Sequence, residues 1–194
     1  MIAIVKYNAG NIRSVENALK RLGAECTISD DPTVLKSAEK LILPGVGEAS
    51  SAMAYLRERG LDRLIKERTL PTLGICLGLQ LFCKHSEEGD TECIGVFDEM
   101  VKRFPPQDKV PHMGWNELHD LKGPLYKGIT EASDVYFVHS FYAEVGEDTS
   151  ARCDYIRPFS ASLERDNFFA TQYHPEKSAG VGEQLLTNFL NLPV

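Results

Sequence analysis

A cysteine between two glycines carries the strongest chemical signal in this sequence. The β-favouring residues Leu73 and Ile75 lead into Cys76, and a helical pattern with Leu77 and Leu81 on one face follows at once. This order is that of a nucleophile elbow, in which a tight strand-to-helix turn presents the nucleophile. The start of the helix directs N–H groups and the positive end of its dipole at the sulfur, which favours the thiolate. On the pentapeptide alone, a buried structural cysteine is an equally good interpretation.

A thiolate nucleophile needs a general base, and the base needs a carboxylate that orients it. His174 and Glu176 form such a pair near the end of the chain. In an extended segment, residues two apart point the same way, so both side chains are expected to face one site. A lone His-Pro-Glu is better interpreted as a strand end with a solvated histidine, and only the combination with Cys76 favours catalysis. His85 lies beside the helix after the elbow, and no carboxylate lies two residues after His112, His119 or His139.

The attack of a thiolate on a carbonyl also requires donors for the negatively charged oxygen of the intermediate. The backbone N–H of Leu77, directly after the nucleophile, is one expected donor. The second is expected from the loop Pro44-Gly45-Val46-Gly47, where the glycines around Val46 allow its peptide to turn. Without the cysteine, this loop is better interpreted as an ordinary strand-to-helix turn. Its place at the carboxyl end of a strand favours a role in the site.

Strands and helices are predicted to alternate up to Lys84. The patterns indicate strands at 1–7, 25–29, 40–43 and the elbow. They also indicate helices that begin after the capping residues Asn11 and Asp31, and further helices at 53–59 and 61–67. This spacing indicates βαβ units and a parallel, doubly wound sheet. Beyond Lys84 the patterns indicate strands at 96–104, 115–118, 135–138, 159–163 and 168–172, a hairpin turn at 165–167 and a final helix at 181–190. We therefore expect a mixed α/β fold with antiparallel strands added in the C-terminal half.

Length, charge and cysteine usage narrow the classes of function. A chain of 194 residues is long enough for one domain, and we expect a single domain over 1–194. The net charge of −7 and the lack of basic clusters argue against nucleic acid and membrane partners. The sequence has no secretion signal and no apolar stretch of membrane-spanning length. Five cysteines without a C-x-x-C pair exclude the common zinc spacings and argue against disulfides, so we expect a cytoplasmic protein with no metal and no cofactor.

Two stretches together resemble a known family. Residues 74–80, Gly-Ile-Cys-Leu-Gly-Leu-Gln, and His174-Pro175-Glu176 resemble the class I (triad) glutamine amidotransferases. Within that family, the stretches 44–47, 111–116, 136–140 and 172–178 resemble the glutaminase subunits of imidazole glycerol phosphate synthases, and the resemblance covers essentially the whole chain. It implies a flavodoxin-like mixed β-sheet flanked by helices, with Cys76, His174 and Glu176 as the catalytic triad.

The resemblance also implies a substrate and a partner. The substrate is glutamine, and the ammonia passes to a (β/α)₈-barrel cyclase subunit of histidine biosynthesis, the second half of a heterodimer. The cyclase makes imidazole glycerol phosphate and aminoimidazole carboxamide ribotide. By the same resemblance, the glutamine is held by Gly47, Gln80, Glu88, Ser140 and Phe141. The face toward the cyclase would include Asn11, Met113, Trp115, Asn116, Tyr136 and Lys177.

Three other interpretations compete with this one. The chain could be the glutaminase of another amidotransferase, although the stretch 111–116 and the lack of a fused synthase domain disfavour this. It could be a stand-alone cysteine hydrolase of γ-glutamyl substrates. It could also be a flavodoxin-like binding or regulatory protein, which the complete set of nucleophile, base, carboxylate and oxyanion loop disfavours.

Overall fold

The computed structural model describes all residues, 1–194. The thirteen strands are β1 Ile2–Val5, β2 Cys26–Ser29, β3 Lys40–Leu43, β4 Thr72–Ile75, β5 His85–Ser86, β6 Thr91–Glu92, β7 Met100–Arg103, β8 His112–Glu117, β9 Asp134–His139, β10 Phe141–Ala143, β11 Thr149–Asp154, β12 Pro158–Arg165 and β13 Phe168–Thr171. The six α-helices are α1 Ile12–Arg21, α2 Pro32–Ser37, α3 Ala49–Glu58, α4 Leu61–Lys66, α5 Leu77–Phe82 and α6 Ala179–Leu190. Short 3₁₀ turns occupy Pro124–Tyr126 and Pro175–Lys177.

The largest sheet has seven strands in the order β11-β12-β13-β4-β3-β1-β2. Strands β2, β1, β3, β4 and β13 are parallel, whereas β12 and β11 continue the sheet in antiparallel pairing. This confirms the expected mixed α/β fold. The hairpin turn predicted at 165–167 is also confirmed, because it joins β12 to β13 and Asp166 has a positive φ of 53°.

Helices cover both faces of this sheet, so its central strands are buried throughout. Ile2 and Ile4 of β1 contact one apolar cluster together with side chains of α1 and α6. Ala3 and Val5 of the same strand contact the other cluster, which holds side chains of α2 to α5. The alternation follows from the two-residue period of a strand. Two smaller sheets, β10-β7-β5-β6 and β8-β9, contain the remaining strands.

Two local predictions are wrong. The apolar stretch 96–104 is a strand only at Met100–Arg103, because the backbone N–H groups of Val96 and Phe97 donate instead to the carbonyl of Phe82 at the end of α5. Asn11 precedes α1 but does not cap it with its side chain. It adopts a left-handed conformation, with φ 71°, and its amide is directed to the site described below.

No helix has both the length and the apolar character needed to cross a membrane.

Candidate active site

Three adjacent strands bring the predicted site residues together. Strand β4 ends at Cys76, and its neighbours are β3, which leads into the loop 44–47, and β13, which leads into His174. All three strands are parallel, so their carboxyl ends lie at one edge of the sheet. The strand order therefore puts the nucleophile candidate between the oxyanion-loop candidate and the base candidate.

Cys76 occupies a strained corner between β4 and α5. Its φ of 56° and ψ of −104° lie outside the regions that L-residues ordinarily adopt. The corner requires glycine at 78, since a Cβ atom there would lie 1.9 Å from the carbonyl oxygen of Leu43. A Cβ atom at Gly74 would in turn lie 2.8 Å from the backbone of Gly78. The G-x-C-x-G spacing thus reflects close packing of β3, β4 and α5.

His174 and Glu176 meet as expected, but for a different geometric reason. His174 is extended, whereas Pro175–Lys177 forms a 3₁₀ turn, so the segment is not a continuous strand. The turn still places Glu176 Oε1 2.7 Å from His174 Nδ1. Both side chains are fully shielded from solvent. The prediction from the period of an extended chain was therefore wrong in its reasoning, although the two groups are in contact.

Asn11 completes this arrangement from the other side. Its Nδ2 donates to Glu176 Oε1 at 2.5 Å and lies 3.3 Å from His174 Nδ1. An amide N–H can only donate, so it holds the carboxylate oxygen that also faces the imidazole. The resemblance assigned Asn11 to a partner face, whereas the structure places it against the carboxylate. Asn11 adopts a positive φ of 71° at this position.

The thiol and the imidazole influence each other. Burial lowers the pKa of His174, but hydrogen bonding and charge from Cys76 and Glu176 outweigh burial and raise the pKa to about 10. His174 Nε2 is shielded from solvent and makes no hydrogen bond of normal geometry. Such contacts are often poorly aligned in enzymes without substrate. Nε2 is the ring nitrogen that Glu176 leaves unoccupied, and the raised pKa shows that the ring can hold the proton given up by the thiol.

The two expected oxyanion donors are not presented together in this structure. The N–H of Leu77 donates to the carbonyl oxygen of Gly45 at 3.2 Å. In a trans peptide the carbonyl and the N–H point in opposite directions, so the N–H of Val46 is directed away from Leu77. The carbonyl of Val46 accepts from Gly10 N–H at 3.0 Å, and Tyr7 Oη donates to the carbonyl of Pro44 at 2.6 Å. These contacts hold the loop in a conformation with one donor blocked.

A cavity of about 280 Å³ opens over Cys76. Its lining includes all five residues assigned to glutamine, namely Gly47, Gln80, Glu88, Ser140 and Phe141, and also Val46 and Leu77. Pro111, Val138 and His139 line it too and were not predicted. The cavity is thus built from the ends of several elements that are distant in sequence.

Two lining side chains carry the polar groups suited to an amino acid. Glu88 is half-buried, its Oε2 accepts from Ala49 N–H at 2.8 Å, and burial is the main cause that raises its pKa. Glu88 is therefore not simply an exposed surface carboxylate beside Glu87. Gln80 is buried, and its Nε2 donates to the carbonyl of Phe141 and to Gln172 Oε1, each at 3.1 Å. No protein group donates to Gln80 Oε1.

The remaining predicted residues lie on or near an exposed face. Trp115 is 54% exposed and Met113 is 57% exposed, on strand β8. The Tyr136 ring meets Trp115 edge-on, with centroids 6.0 Å apart. Lys177 is exposed on the 3₁₀ turn beside the triad candidates, and Asn116 also lies on β8. This face is apolar at its centre and reaches the segment that carries His174.

Sequence reasoning missed the side chain that touches the sulfur from the end of β13. Gln172 is fully buried, and its Nε2 donates to Cys76 Sγ at 3.6 Å. It lies in the stretch 172–178 that carries the family resemblance, but no spacing rule separates it from its neighbours. Only the pairing of β13 with β4 makes the contact visible.

Comparison with known families agrees with this geometry. The family described as glutamine amidotransferase class-I matches residues 3–192. Two solved structures share the fold: a glutamine amidotransferase (TM-score 0.77, 23% identity, covering 98% of this chain and 97% of the other) and PurLQS from Thermotoga maritima (TM-score 0.71, 18% identity, covering 98% and 97%). At these identities the likeness shows the fold alone.

Sequence relatives are closer. The imidazole glycerol phosphate synthase subunit HisH of Bacteroides fragilis strain YCH46 is 59% identical over 194 residues, covering 98% of this chain and 99% of the relative. The subunit of the same name from Vibrio parahaemolyticus is 46% identical, covering 98% of each chain. Matches of this identity and coverage extend over the elbow, the loop 44–47 and the His-Pro-Glu segment alike, and the chain therefore belongs to the class I glutamine amidotransferases, among the HisH subunits of imidazole glycerol phosphate synthase.

Proposed function

We propose that Cys76, His174 and Glu176 carry out the glutamine hydrolysis that membership of this family assigns to the chain. The observation that carries the proposal is a strained cysteine that raises the pKa of a buried histidine, whose Nδ1 meets a buried carboxylate at 2.7 Å. This is the nucleophile, base and orienting group of a covalent acyl-transfer mechanism. The cavity over the sulfur supplies the place for the substrate.

The reaction proceeds in two halves. His174 Nε2 takes the proton of the Cys76 thiol, and the sulfur attacks the carboxamide carbon of glutamine. The negatively charged oxygen collapses as His174 returns the proton to the departing nitrogen, which releases ammonia and leaves a γ-glutamyl thioester. Water then attacks the thioester with His174 as base, and glutamate leaves as the sulfur is regenerated. Glu176, held by Asn11, keeps the ring oriented throughout.

The polar lining of the cavity holds the amino-acid end of glutamine. Gln80 Oε1 is free to accept from the α-ammonium group, and the carboxylate of Glu88 offers a second acceptor at the same wall. The backbone at Gly47, Ser140 and Phe141 is left to meet the α-carboxylate. This set recognises both charges of a free amino acid, which favours glutamine over a protein-bound amide.

The partner in this proposal is a cyclase subunit that consumes the ammonia. The exposed surface formed by Met113, Trp115 and Tyr136, with Lys177 at its edge, is the surface proposed to bind it. A large aromatic side chain that is half exposed beside an active site is the type of residue that anchors protein interfaces. The cyclase-binding surface is continuous with the turn that bears Glu176, so docking acts close to the triad.

Glutaminase assays of the purified chain alone, with a cyclase, and with a cyclase plus its substrate test the proposal. We expect little ammonia from the chain alone and strong activation in the complete mixture. Cys76→Ala is the matched negative variant in all three mixtures. Absence of glutamine hydrolysis in the complete mixture would contradict the proposal, and full turnover without a cyclase would contradict the partner assignment.

A further inference from the structure

Hydrogen bonding fixes the direction in which Gln172 faces the nucleophile. Its Oε1 accepts from Gln80 Nε2 at 3.1 Å, so its Nε2 is the end that lies 3.6 Å from Cys76 Sγ. A side-chain amide nitrogen can only donate. Gln172 is fully buried and lies outside the cavity lining, so water does not compete for this contact.

Gln80 is itself fixed by a backbone carbonyl. One hydrogen of its Nε2 is directed at Gln172 and the other at the carbonyl of Phe141, at 3.1 Å. The same carbonyl lies 2.7 Å from His139 Nδ1. A carbonyl oxygen only accepts, so Nδ1 of His139 carries the proton. Two donors thus hold one acceptor, and the acceptor sets the orientation of Gln80.

A second buried histidine continues the chain of hydrogen bonds. His139 Nε2, left as an acceptor, lies 3.0 Å from His112 Nδ1, which must therefore donate. His112 Nε2 then accepts from Asn116 Nδ2 at 3.3 Å. Each hydrogen bond from Asn116 on β8 to the carbonyl of Phe141 thus pairs one donor with one acceptor. Burial lowers the pKa of His112 to about 4 and that of His139 to about 3, so both rings stay neutral at physiological pH.

We propose that Gln172 is a further catalytic residue, which donates a hydrogen bond to the sulfur of Cys76 and is held in that orientation by Gln80 and the His112–His139 pair. The inference rests on the proposed role of Cys76 as nucleophile. A donor aimed at the sulfur stabilises the thiolate before attack. It also stabilises the sulfur as the leaving group when water opens the thioester.

The other groups around the sulfur do not duplicate this role. The titratable neighbours of Cys76 are His174, with Glu176 behind it, and Tyr7. The carbonyl of Val138, 3.9 Å from the sulfur, can accept from a thiol but offers nothing to a thiolate. Once His174 has passed its proton to the leaving nitrogen, Gln172 is the neutral donor that remains in place.

Alkylation of Cys76 at different pH values tests the proposal without relying on glutamine turnover. The full-length chain is treated with iodoacetamide, and modification of the Cys76 peptide is followed by mass spectrometry. In Gln172→Met we expect the pH midpoint of alkylation to rise by about one pH unit, the effect of losing one hydrogen bond to an ionised group. Gln172→Leu removes the same donor and should raise the midpoint by a similar amount. Gln107→Met, at an exposed glutamine, is the matched control and should not shift.

Turnover separates the proposal from general damage to the fold. In the activated complex, Gln172→Met should lower kcat about tenfold and leave KM unchanged, because Gln172 does not line the cavity. An unshifted alkylation midpoint in a Gln172→Met or Gln172→Leu chain with wild-type thermal unfolding would overturn the proposal. If the wild-type complex hydrolyses no glutamine, the proposed function fails while the alkylation result still decides the role of Gln172.

A second pair of variants tests the histidine support. His139→Asn places an amide nitrogen where Nδ1 donates to the carbonyl of Phe141, whereas His139→Leu removes that donor. The alkylation midpoint should rise in His139→Leu and stay near the wild-type value in His139→Asn. Equal midpoints in the two folded variants would overturn the positioning role of the pair.

Discussion

The N–H of Leu77 donates to the carbonyl of Gly45, and this single hydrogen bond of 3.2 Å occupies the first expected oxyanion donor. The same peptide points the N–H of Val46 away from Leu77, and this N–H makes no hydrogen bond to the protein. Rotation of the Gly45–Val46 peptide would free the N–H of Leu77 and turn the N–H of Val46 toward the same site. The glycines at 45 and 47 make such a rotation inexpensive.

This relationship predicts a gate in the oxyanion loop. Val46→Pro removes the N–H that the rotated peptide would supply, and should lower the activated turnover of the complex by roughly 100- to 1,000-fold, the cost of one oxyanion donor. Val46→Ala, which keeps the N–H, is the control and should retain activation. Steady-state ammonia release with and without a cyclase and its substrate measures both. Normal activation of a folded Val46→Pro complex would reject the gate.

Labelling should discriminate between two nearby cysteines. A glutamine analogue that alkylates should modify Cys76, which opens into the cavity, and spare Cys83, which is fully buried and whose pKa burial raises well above its ordinary value. Mass spectrometry of the labelled peptides locates the adduct. Cys83→Ala should label normally and Cys76→Ala not at all. An adduct on Cys83 in the wild-type chain would refute the assignment of the nucleophile.

The triad members should differ in importance. Glu176 contacts the ring of His174 but not the cavity, so Glu176→Gln should lose orientation and keep residual turnover, whereas Cys76→Ala should lose all of it. Asn11→Ala should resemble a mild form of Glu176→Gln, because it frees the carboxylate oxygen without removing it. Measured kcat values in the activated complex provide the comparison. Equal losses in Glu176→Gln and Cys76→Ala would show that the hierarchy is wrong.

The elbow should tolerate no side chain at 78. A Cβ atom there would lie 1.9 Å from the carbonyl of Leu43, so Gly78→Ala must displace β3 or α5 and should lower the free energy of unfolding by about 3 kcal/mol or more. Gly180→Ala, in α6 with no atom within 4 Å of the new Cβ, is the control and should leave the free energy unchanged or raise it by up to about 1 kcal/mol. Urea unfolding followed by circular dichroism measures both. A Gly78→Ala chain as stable as the control would contradict the close packing at the elbow.

The buried histidine pair should make folding sensitive to acid. The pKa of His139 falls from 6.5 to about 3 because burial penalises the charged ring, so between these values the unfolded chain binds a proton that the folded chain does not. The unfolding free energy therefore falls as the pH is lowered through 6.5. His174 acts in the opposite sense, because its pKa is raised and its stabilisation is fully present below pH 6.5.

Comparing variants isolates the contribution of His139. From pH 6.5 to 5, His139→Asn should lose about 1.5 kcal/mol less unfolding free energy than the wild-type chain. Gln107→Asn, at an exposed position that carries no titratable group, should follow the wild-type slope. Urea unfolding at the two pH values measures the difference. Parallel slopes for His139→Asn and the wild-type chain would show that His139 is protonated in the folded state.

The sequence by itself determined the local structure of several segments. The strand, corner and helix around Cys76, the capped helix at Asp31 and the hairpin at 165–167 all depend on neighbours in the chain, and each was predicted from residue type and spacing. The alternation of strands and helices also determined the parallel sheet, because a parallel pair needs a crossover connection. Cys76, His174 and Glu176 were proposed as nucleophile, base and carboxylate from the same local patterns, although a 3₁₀ turn and not an extended segment brings Glu176 to His174.

Contacts between distant segments were decided only by the tertiary structure. The strand order β13-β4-β3-β1 brings Gln172, after β13, to Cys76, 96 residues apart, and Asn11, after β1, to Glu176, 165 residues apart. No periodicity in the chain encodes such pairs, since they depend on which strands become neighbours and on the conformation of the loop between β1 and α1. The orientation of the Gly45–Val46 peptide is likewise decided by tertiary contacts. Two orientations are open to a glycine-flanked peptide, and the selection is made by hydrogen bonds from Leu77 and Gly10 that exist only once the sheet and α5 are assembled.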